Sequence, residues 1–225
     1  TKSGGHLASN LGAVEISVAV HRVFDLPHDR VIFDVGHQSY VHKILSGRRD
    51  FDTLRKPGGL SGFEKMDESE YDAFGTGHAS TSVSAALGYA EADKLMGRDN
   101  YTVVVLGDGA FTGGMVHEAL NNLKKDLHLI IILNENEMSI SKNAGAFASH
   151  IAHMRTSKKY FRFKRATTRF FSGIPLIGAP ILKGLRTCKR YVKNAFYGGV
   201  YFEDIGLKYL GPADGNDLET VEYLL

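Results

Sequence analysis

The chain has 225 residues, 43% apolar and 23% charged, with a net charge of +2 and one cysteine, Cys188. That is ordinary globular composition, enough for one large domain or two small ones. A single cysteine excludes an intrachain disulfide and any multi-cysteine metal site, which points to a reducing, cytoplasmic setting, and no apolar run is long enough to cross a bilayer as a helix.

The chain opens on Thr1-Lys2-Ser3-Gly4-Gly5-His6, which is no signal peptide and carries no initiator Met. The expectation is a piece of a longer protein, truncated at both ends. Residues 10–24, with Leu11, Val14 and Val18 at helical spacing, predict a buried helix capped by Ser9 or Asn10. Val31-Ile32-Phe33-Asp34-Val35 reads as a short buried strand, and residues 40–48 as a short helix. Residues 50–72 are polar, with Pro57-Gly58-Gly59 in the middle, and predict an irregular excursion. Ser80 to Met96 is Ala-rich and helical, with Ser80 or Thr81 near its cap and Gly97 ending it.

Tyr101 to Leu106 is the clearest strand; a helix over Gly113–Lys125 and a second all-apolar strand over Leu127–Leu133 follow. Apolar runs without alternation suit strands covered on both faces. Strands separated by helices predict an α/β fold with a mostly parallel sheet flanked by helices. The charge is uneven: residues 1–137 hold 13 Lys/Arg against 19 Asp/Glu, whereas 138–202 hold 13 Lys/Arg and no acid. The basic stretch matches no nucleic-acid motif. It reads as a solvated segment, or as one facing an anionic ligand or an acidic surface of the same protein. Tyr201 to Leu210 suggests a return to the sheet.

The chemistry starts where the strand 101–106 runs into Gly107-Asp108-Gly109-Ala110. Ligands of parallel sheets bind at the carboxyl ends of strands. Glycines there let backbone approach a phosphate, and a following helix favours negative charge. A carboxylate in the same turn repels a phosphate unless a cation lies between them, so Asp108 implies Mg²⁺. The second strand ends in Asn134-Glu135-Asn136-Glu137-Met138, with Asn136 lying 28 positions after Asp108. One crossover helix fits between, so Asn136 can offer an amide oxygen and Met138 a backbone carbonyl to the same ion. Gly-Asp-Gly alone reads better as a turn and Asn136 as a cap; strand, Gly-Asp-Gly, helix, strand and Asn in that order is far more specific.

This order resembles the thiamin diphosphate motif of transketolase-like enzymes, and within them the 1-deoxy-D-xylulose-5-phosphate synthase family. The likeness is carried by Ser3-Gly4-Gly5-His6-Leu7-Ala8-Ser9-Asn10-Leu11-Gly12, Asp34-Val35-Gly36-His37-Gln38-Ser39-Tyr40, residues 42–50, and Gly77-His78-Ala79-Ser80-Thr81-Ser82. Residues 134–141 and Gly211-Pro212-Ala213-Asp214-Gly215 also match. The resemblance implies a thiamin diphosphate-binding, transketolase-like fold over 1–225, with 142–200 a basic connecting region. It implies condensation of pyruvate with D-glyceraldehyde 3-phosphate, with loss of CO₂, to 1-deoxy-D-xylulose 5-phosphate. A homodimer with no nucleic-acid or membrane partner is expected, in the bacterial cytoplasm or a plant plastid stroma.

Carried over by position, the resemblance puts His37 against cofactor and substrate, and Gly77, His78 and Ala79 along the diphosphate. Gly109 and Ala110 give backbone contacts; Asp108, Asn136 and the Met138 carbonyl hold Mg²⁺; His6 moves protons near the reacting carbons. An imidazole with an ordinary pKa of about 6.5 suits that task. A lone His is usually structural, but His6, His37 and His78 each follow a glycine at an element edge, whereas His117 and His128 lack that setting. Ala79 departs from the Ser of many relatives, which removes one hydroxyl near the diphosphate. The family's pyrimidine-binding domain and its Glu are not in this sequence, so the segment alone is expected to be inactive. Two rival readings are half of a split transketolase acting on sugar phosphates, and a non-catalytic Mg-nucleotide-binding module.

Overall fold

Three apolar runs become the strands β1 (Arg30–Phe33), β2 (Thr102–Gly107) and β3 (Leu129–Asn134), all parallel, in the order β1-β2-β3. Phe33 pairs with Val105, which in turn pairs with Ile132. The computed structural model describes residues 4–124, 126–135, 202–203 and 205–225. The expected metal ligands Asn136 and Met138 and the basic region 142–200 lie outside the described residues. The chain divides into two compact units, Thr1–Lys142 with Ala213–Leu225, and Asn143–Pro212.

In the first unit the helices are α1 (Leu7–Leu11), α2 (Val14–Val23), α3 (Tyr40–Leu45), α4 (Ser82–Met96), α5 (Asp108–Phe111), α6 (Gly114–Asn121) and α7 (Leu218–Leu224). Side chains alternate across a strand. Val31, Phe33, Val103 and Val105 join Ile16 and Val20 of α2 and Phe24 just after it in one buried cluster, with Ile130, Ile132 and Leu225 packed against it. Each such side chain contributes about 1.5–3 kcal/mol by burial. The alternate residues Ile32, Val104 and Leu106 are equally buried, and α4, with Val83, Ala86 and Ala90 inside, packs on all three strands. Cover on both faces explains why β1 and β2 show no polar alternation. β3 is half-buried along its length. The expected parallel α/β fold is what forms.

The elements differ from expectation in instructive places. The helix over 10–24 is two helices, because the Asn10 side chain is not a cap; it leaves its own helix to bond Tyr40 and His37, and Gly12-Ala13 make the bend. The helix over 113–125 stops at Asn121, where the Asn122 side chain takes the Glu118 carbonyl at 2.8 Å. Gly97 ends α4 as expected, at φ +68°.

The return to the sheet near 201–210 is a correction. In the second unit the described residues there are helical at Phe202 and Glu203, turn at 205–206, and form no strand. Leu207 N–H donates to the Phe202 carbonyl at 2.8 Å and Gly206 N–H to that of Glu203 at 3.0 Å. With Gly206 at φ +92°, this is a helix-terminating turn, which consumes the amides a strand would need.

Candidate functional site

All three strands run the same way, so their carboxyl ends share one edge of the sheet. The chain leaves β1 through Asp34, Val35 at φ +64°, and Gly36 at φ +86°. Gly36 is required twice over: its φ is left-handed, and a Cβ there would stand 1.9 Å from Thr76 Oγ1. This sharp exit delivers His37.

His37 meets His6 edge to face, ring centroids 5.4 Å apart, and Phe63 stacks with His6 at 6.5 Å. One buried amide organises the pair. Asn10 Nδ2 donates to the His6 carbonyl at 2.8 Å and to the His37 carbonyl at 2.7 Å, while its Oδ1 accepts from Tyr40 N–H at 2.8 Å. Burial, then the neighbouring His6, lowers the pKa of His37, against a smaller upward pull from Asp34. His37 Nδ1 is buried and has no hydrogen-bond partner among the described residues. A group normally paired inside a protein is thus left for a ligand.

Asp34 joins the β1 end to the loop before α4. Its Oδ1 accepts Ser80 N–H at 2.8 Å; its Oδ2 accepts Ser82 N–H at 3.1 Å and the Ser82 hydroxyl at 2.5 Å. The first amide of α4 and that of Ser80 just before the helix are satisfied this way. Ahead of them Gly77, His78 and Ala79 lie exposed, with His78 Nδ1–H donating to the Ala79 carbonyl at 2.7 Å. Ser80 then reaches the third stretch, its hydroxyl donating to the Ala110 carbonyl at 2.7 Å.

That third stretch starts at Gly107, the last residue of β2, and continues in α5. Asp108 is buried, Gly109 exposed and Ala110 half-buried. A Cβ added at Gly77, Gly107 or Gly109 would meet no described atom within 4 Å, so there is open room beside each. Beside β2, Asn134 at the end of β3 ties back to the α1–α2 bend through its amide, 3.1 Å from the Gly12 carbonyl. Open glycine backbone, a buried carboxylate and an unpaired imidazole nitrogen fit a metal-bound diphosphate cofactor.

The excursion over 50–72 has an interior of its own. Arg48 donates to both oxygens of Asp72 at 2.7 Å and to Glu68 at 3.0 Å; Lys43 Nζ pairs with Glu68 and sits 3.5 Å from Asp72. Burial opposes charge on Asp72, yet hydrogen bonds from His42 and Arg48 hold its carboxyl well below the usual range. Burial, then His42 and Arg48, pushes His21 down to about 4, with its Nε2 2.9 Å from His42 Nδ1. Glu64 is the opposite case: burial raises its pKa well above normal, although its Oε2 accepts Phe33 N–H at 2.8 Å. His42, Glu64 and Asp72 could span a metal ion by distance. Lys43 and Arg48 already supply the positive charge that Asp72 needs. The network's role at the site is to hold the excursion that brings Phe63 to His6.

Of the residues singled out in the sequence, His6 and His37 touch, and Gly77–Ala79 and Asp108–Ala110 are linked through Ser80. Asn136 and Met138 cannot be placed with them. His117 packs edge to face on Phe111, and His128 stacks on Tyr101 at 4.5 Å. Sequence reasoning missed Asn10, Asp34, Ser80 and Phe63. For Asp34 a signal existed: it is a carboxylate at the carboxyl end of a strand, the same signal that drew attention to Asp108.

The family model described as 1-deoxy-D-xylulose-5-phosphate synthase matches residues 1–225. A protein of that name from Syntrophomonas wolfei is 52% identical over 226 residues, covering 100% of this chain and 35% of its own. One from Clostridium kluyveri is 52% identical over 223 residues, covering 98% and 36%. The chain thus spans about a third of the length of the curated relatives it matches. Among solved structures, a transketolase from Leishmania mexicana is similar over 66% of this chain and 26% of that one, at 20% identity and a TM-score of 0.48.

Proposed function

The chain belongs to the 1-deoxy-D-xylulose-5-phosphate synthase family, and from that premise we propose that the protein carrying it condenses pyruvate with D-glyceraldehyde 3-phosphate, releasing CO₂, to give 1-deoxy-D-xylulose 5-phosphate. The observation that carries the proposal is the match over all 225 residues at about half identity. Thiamin diphosphate, when bound, supplies the carbanion chemistry that no side chain can.

The chain's own residues bind, orient and move protons. Backbone along Gly77–Ala79 and Gly109–Ala110 takes diphosphate oxygens, where the glycines leave room. Asp108, with the Asn136 side chain and the Met138 carbonyl, holds Mg²⁺, an ion that prefers hard oxygen ligands. Without that cation, the buried Asp108 carboxylate would repel the diphosphate. His37 faces cofactor and substrate with an imidazole kept neutral by burial. The net reaction consumes one proton: two anionic substrates yield a sugar phosphate and neutral CO₂. His6, on the exposed side of the pair, is the group that delivers it to the oxygen derived from the aldehyde.

A homodimer acting in the cytoplasm, or in a plastid stroma if the source is a plant, completes the reading. No described helix is long and apolar enough to cross a membrane. The decisive experiment assays the full-length protein with pyruvate and D-glyceraldehyde 3-phosphate against xylulose 5-phosphate and an aldose phosphate acceptor. CO₂ release stoichiometric with the five-carbon product, dependent on thiamin diphosphate and Mg²⁺, is expected. Ketol transfer from xylulose 5-phosphate without decarboxylation would make it a transketolase instead.

A further inference from the structure

We propose that Ser80 is a positioning residue that locks the two diphosphate-binding strips, Gly77–Ala79 and Gly109–Ala110, into one surface. The inference rests on the reading of those strips given above and deepens it.

The two strips come from different parts of the fold. One precedes α4 and the other follows β2, with more than twenty residues between them. A diphosphate spanning both needs their backbone amides at a fixed separation, since misplacement of binding groups by even 1 Å is costly. Ser80 is the residue that fixes it. Its N–H donates to Asp34 Oδ1 at 2.8 Å, which anchors the first strip to the end of β1. Its hydroxyl donates to the Ala110 carbonyl at 2.7 Å, which anchors the second strip to the first.

Two further observations support a dedicated role. Ser80 is buried and sits at φ +72°, a backbone region that L side chains rarely adopt and that glycine adopts freely. A residue held there against its preference keeps a side chain that glycine would lack, and such outliers cluster at ligand-binding segments. Across from it, Gly113 makes room: a Cβ at Gly113 would stand 2.0 Å from Ser80 Oγ and 2.7 Å from Ser80 Cβ. Gly113 N–H also donates to the Ala110 carbonyl at 3.1 Å, so hydroxyl and amide converge on one acceptor. The hydroxyl, the acceptor and the gap that admits them form one unit.

The test uses the full-length protein and reads cofactor binding directly. Dissociation constants for thiamin diphosphate with Mg²⁺ are measured by titration calorimetry for wild type, Ser80→Ala, Ser80→Gly, Gly113→Ala and the double variant Ser80→Gly/Gly113→Ala. Melting temperatures are taken without cofactor. Misplacement of one strip against the other predicts affinity about tenfold weaker in Ser80→Ala and Ser80→Gly. The loss should fall on the cofactor's KM more than on kcat. The cofactor-free melting temperature of Ser80→Gly should not drop, because glycine relieves the backbone. Gly113→Ala alone should weaken binding through the clash, and in the double variant it should add nothing to Ser80→Gly. Wild-type binding with unchanged affinity in Ser80→Ala overturns the inference alone. So do affinity losses that merely track melting temperature, or additive losses in the double variant. A wild-type protein with no affinity for thiamin diphosphate overturns the reading of the site, and this inference with it.

Discussion

The imidazoles of His6 and His37 stand with their planes 79° apart and centroids 5.4 Å apart, close enough for the charge of one to act on the other. Burial depresses the His37 pKa first, and His6 adds to it. His6→Ala removes a like charge and opens His37 to water, and both effects favour the protonated ring. The His37 pKa is therefore expected to rise in His6→Ala, followed by NMR titration of its ring protons. A value that stays put or falls would mean that the two rings do not share an electrostatic environment.

Asn10 makes the pair possible, and its replacement separates two kinds of loss. Asn10→Ala leaves the His37 carbonyl and the Tyr40 N–H without this partner, while the His6 carbonyl keeps the residue-10 backbone N–H at 3.1 Å; each unsatisfied buried group costs about 1–3 kcal/mol. Water entering the small cavity offsets part of this, so ~2–4 kcal/mol of stability is expected to go. Asn10→Asp is close to isosteric but faces two carbonyl oxygens with a carboxylate, and should be worse than alanine at neutral pH. Acidification should narrow the gap, because a protonated Asp can donate to one of the carbonyls. Denaturant melts of both variants at pH 5 and pH 7.5 check the order.

Asp108→Ala should weaken Mg²⁺-dependent binding of thiamin diphosphate by about 100-fold, roughly 2.7 kcal/mol. Asp108→Asn keeps an oxygen ligand but not its charge, and should fall between. If Mg-nucleotide binds and survives Asp108→Ala, the non-catalytic alternative gains.

The sequence carried the parts of this fold that depend on local pattern. Val103 to Leu106 could only be a covered strand, and Gly97 could only end a helix. The position of Asp108 at the carboxyl end of β2 was legible from the apolar run before it and the glycines around it. What stayed hidden depends on distant partners. Asn10 looks like a cap until His37 and Tyr40, 27 and 30 residues away, are brought to it. Ser80 looks like a helix start until Ala110 arrives, and nothing local marks Phe63 as a neighbour of His6. The β-formers around Gly206 read locally as a strand, whereas Gly206 at φ +92° closes a turn on the Phe202 and Glu203 carbonyls.

Two buried carboxylates in the 50–72 excursion, Glu64 and Asp72, predict opposite responses to pH. Asp72 has a depressed folded pKa, so its contribution is full above the unfolded value near 3.9 and is lost as pH falls through the folded one. Asp72→Asn leaves Lys43 and Arg48 with Glu68 as their acidic partner among the described residues, and should cost about 3–5 kcal/mol at neutral pH. Glu64 has a raised folded pKa, so its sign is reversed. The folded state keeps a proton that the unfolded chain has released, and stability is lost as pH rises from about 4.3 through the folded value. Glu64→Gln keeps an acceptor for Phe33 N–H and cannot ionise. It should match the wild type near pH 4 and exceed it increasingly toward pH 8, as read from melting temperatures across that range. A Gln variant less stable than wild type at pH 8 would show that Glu64 is held as a paired anion after all.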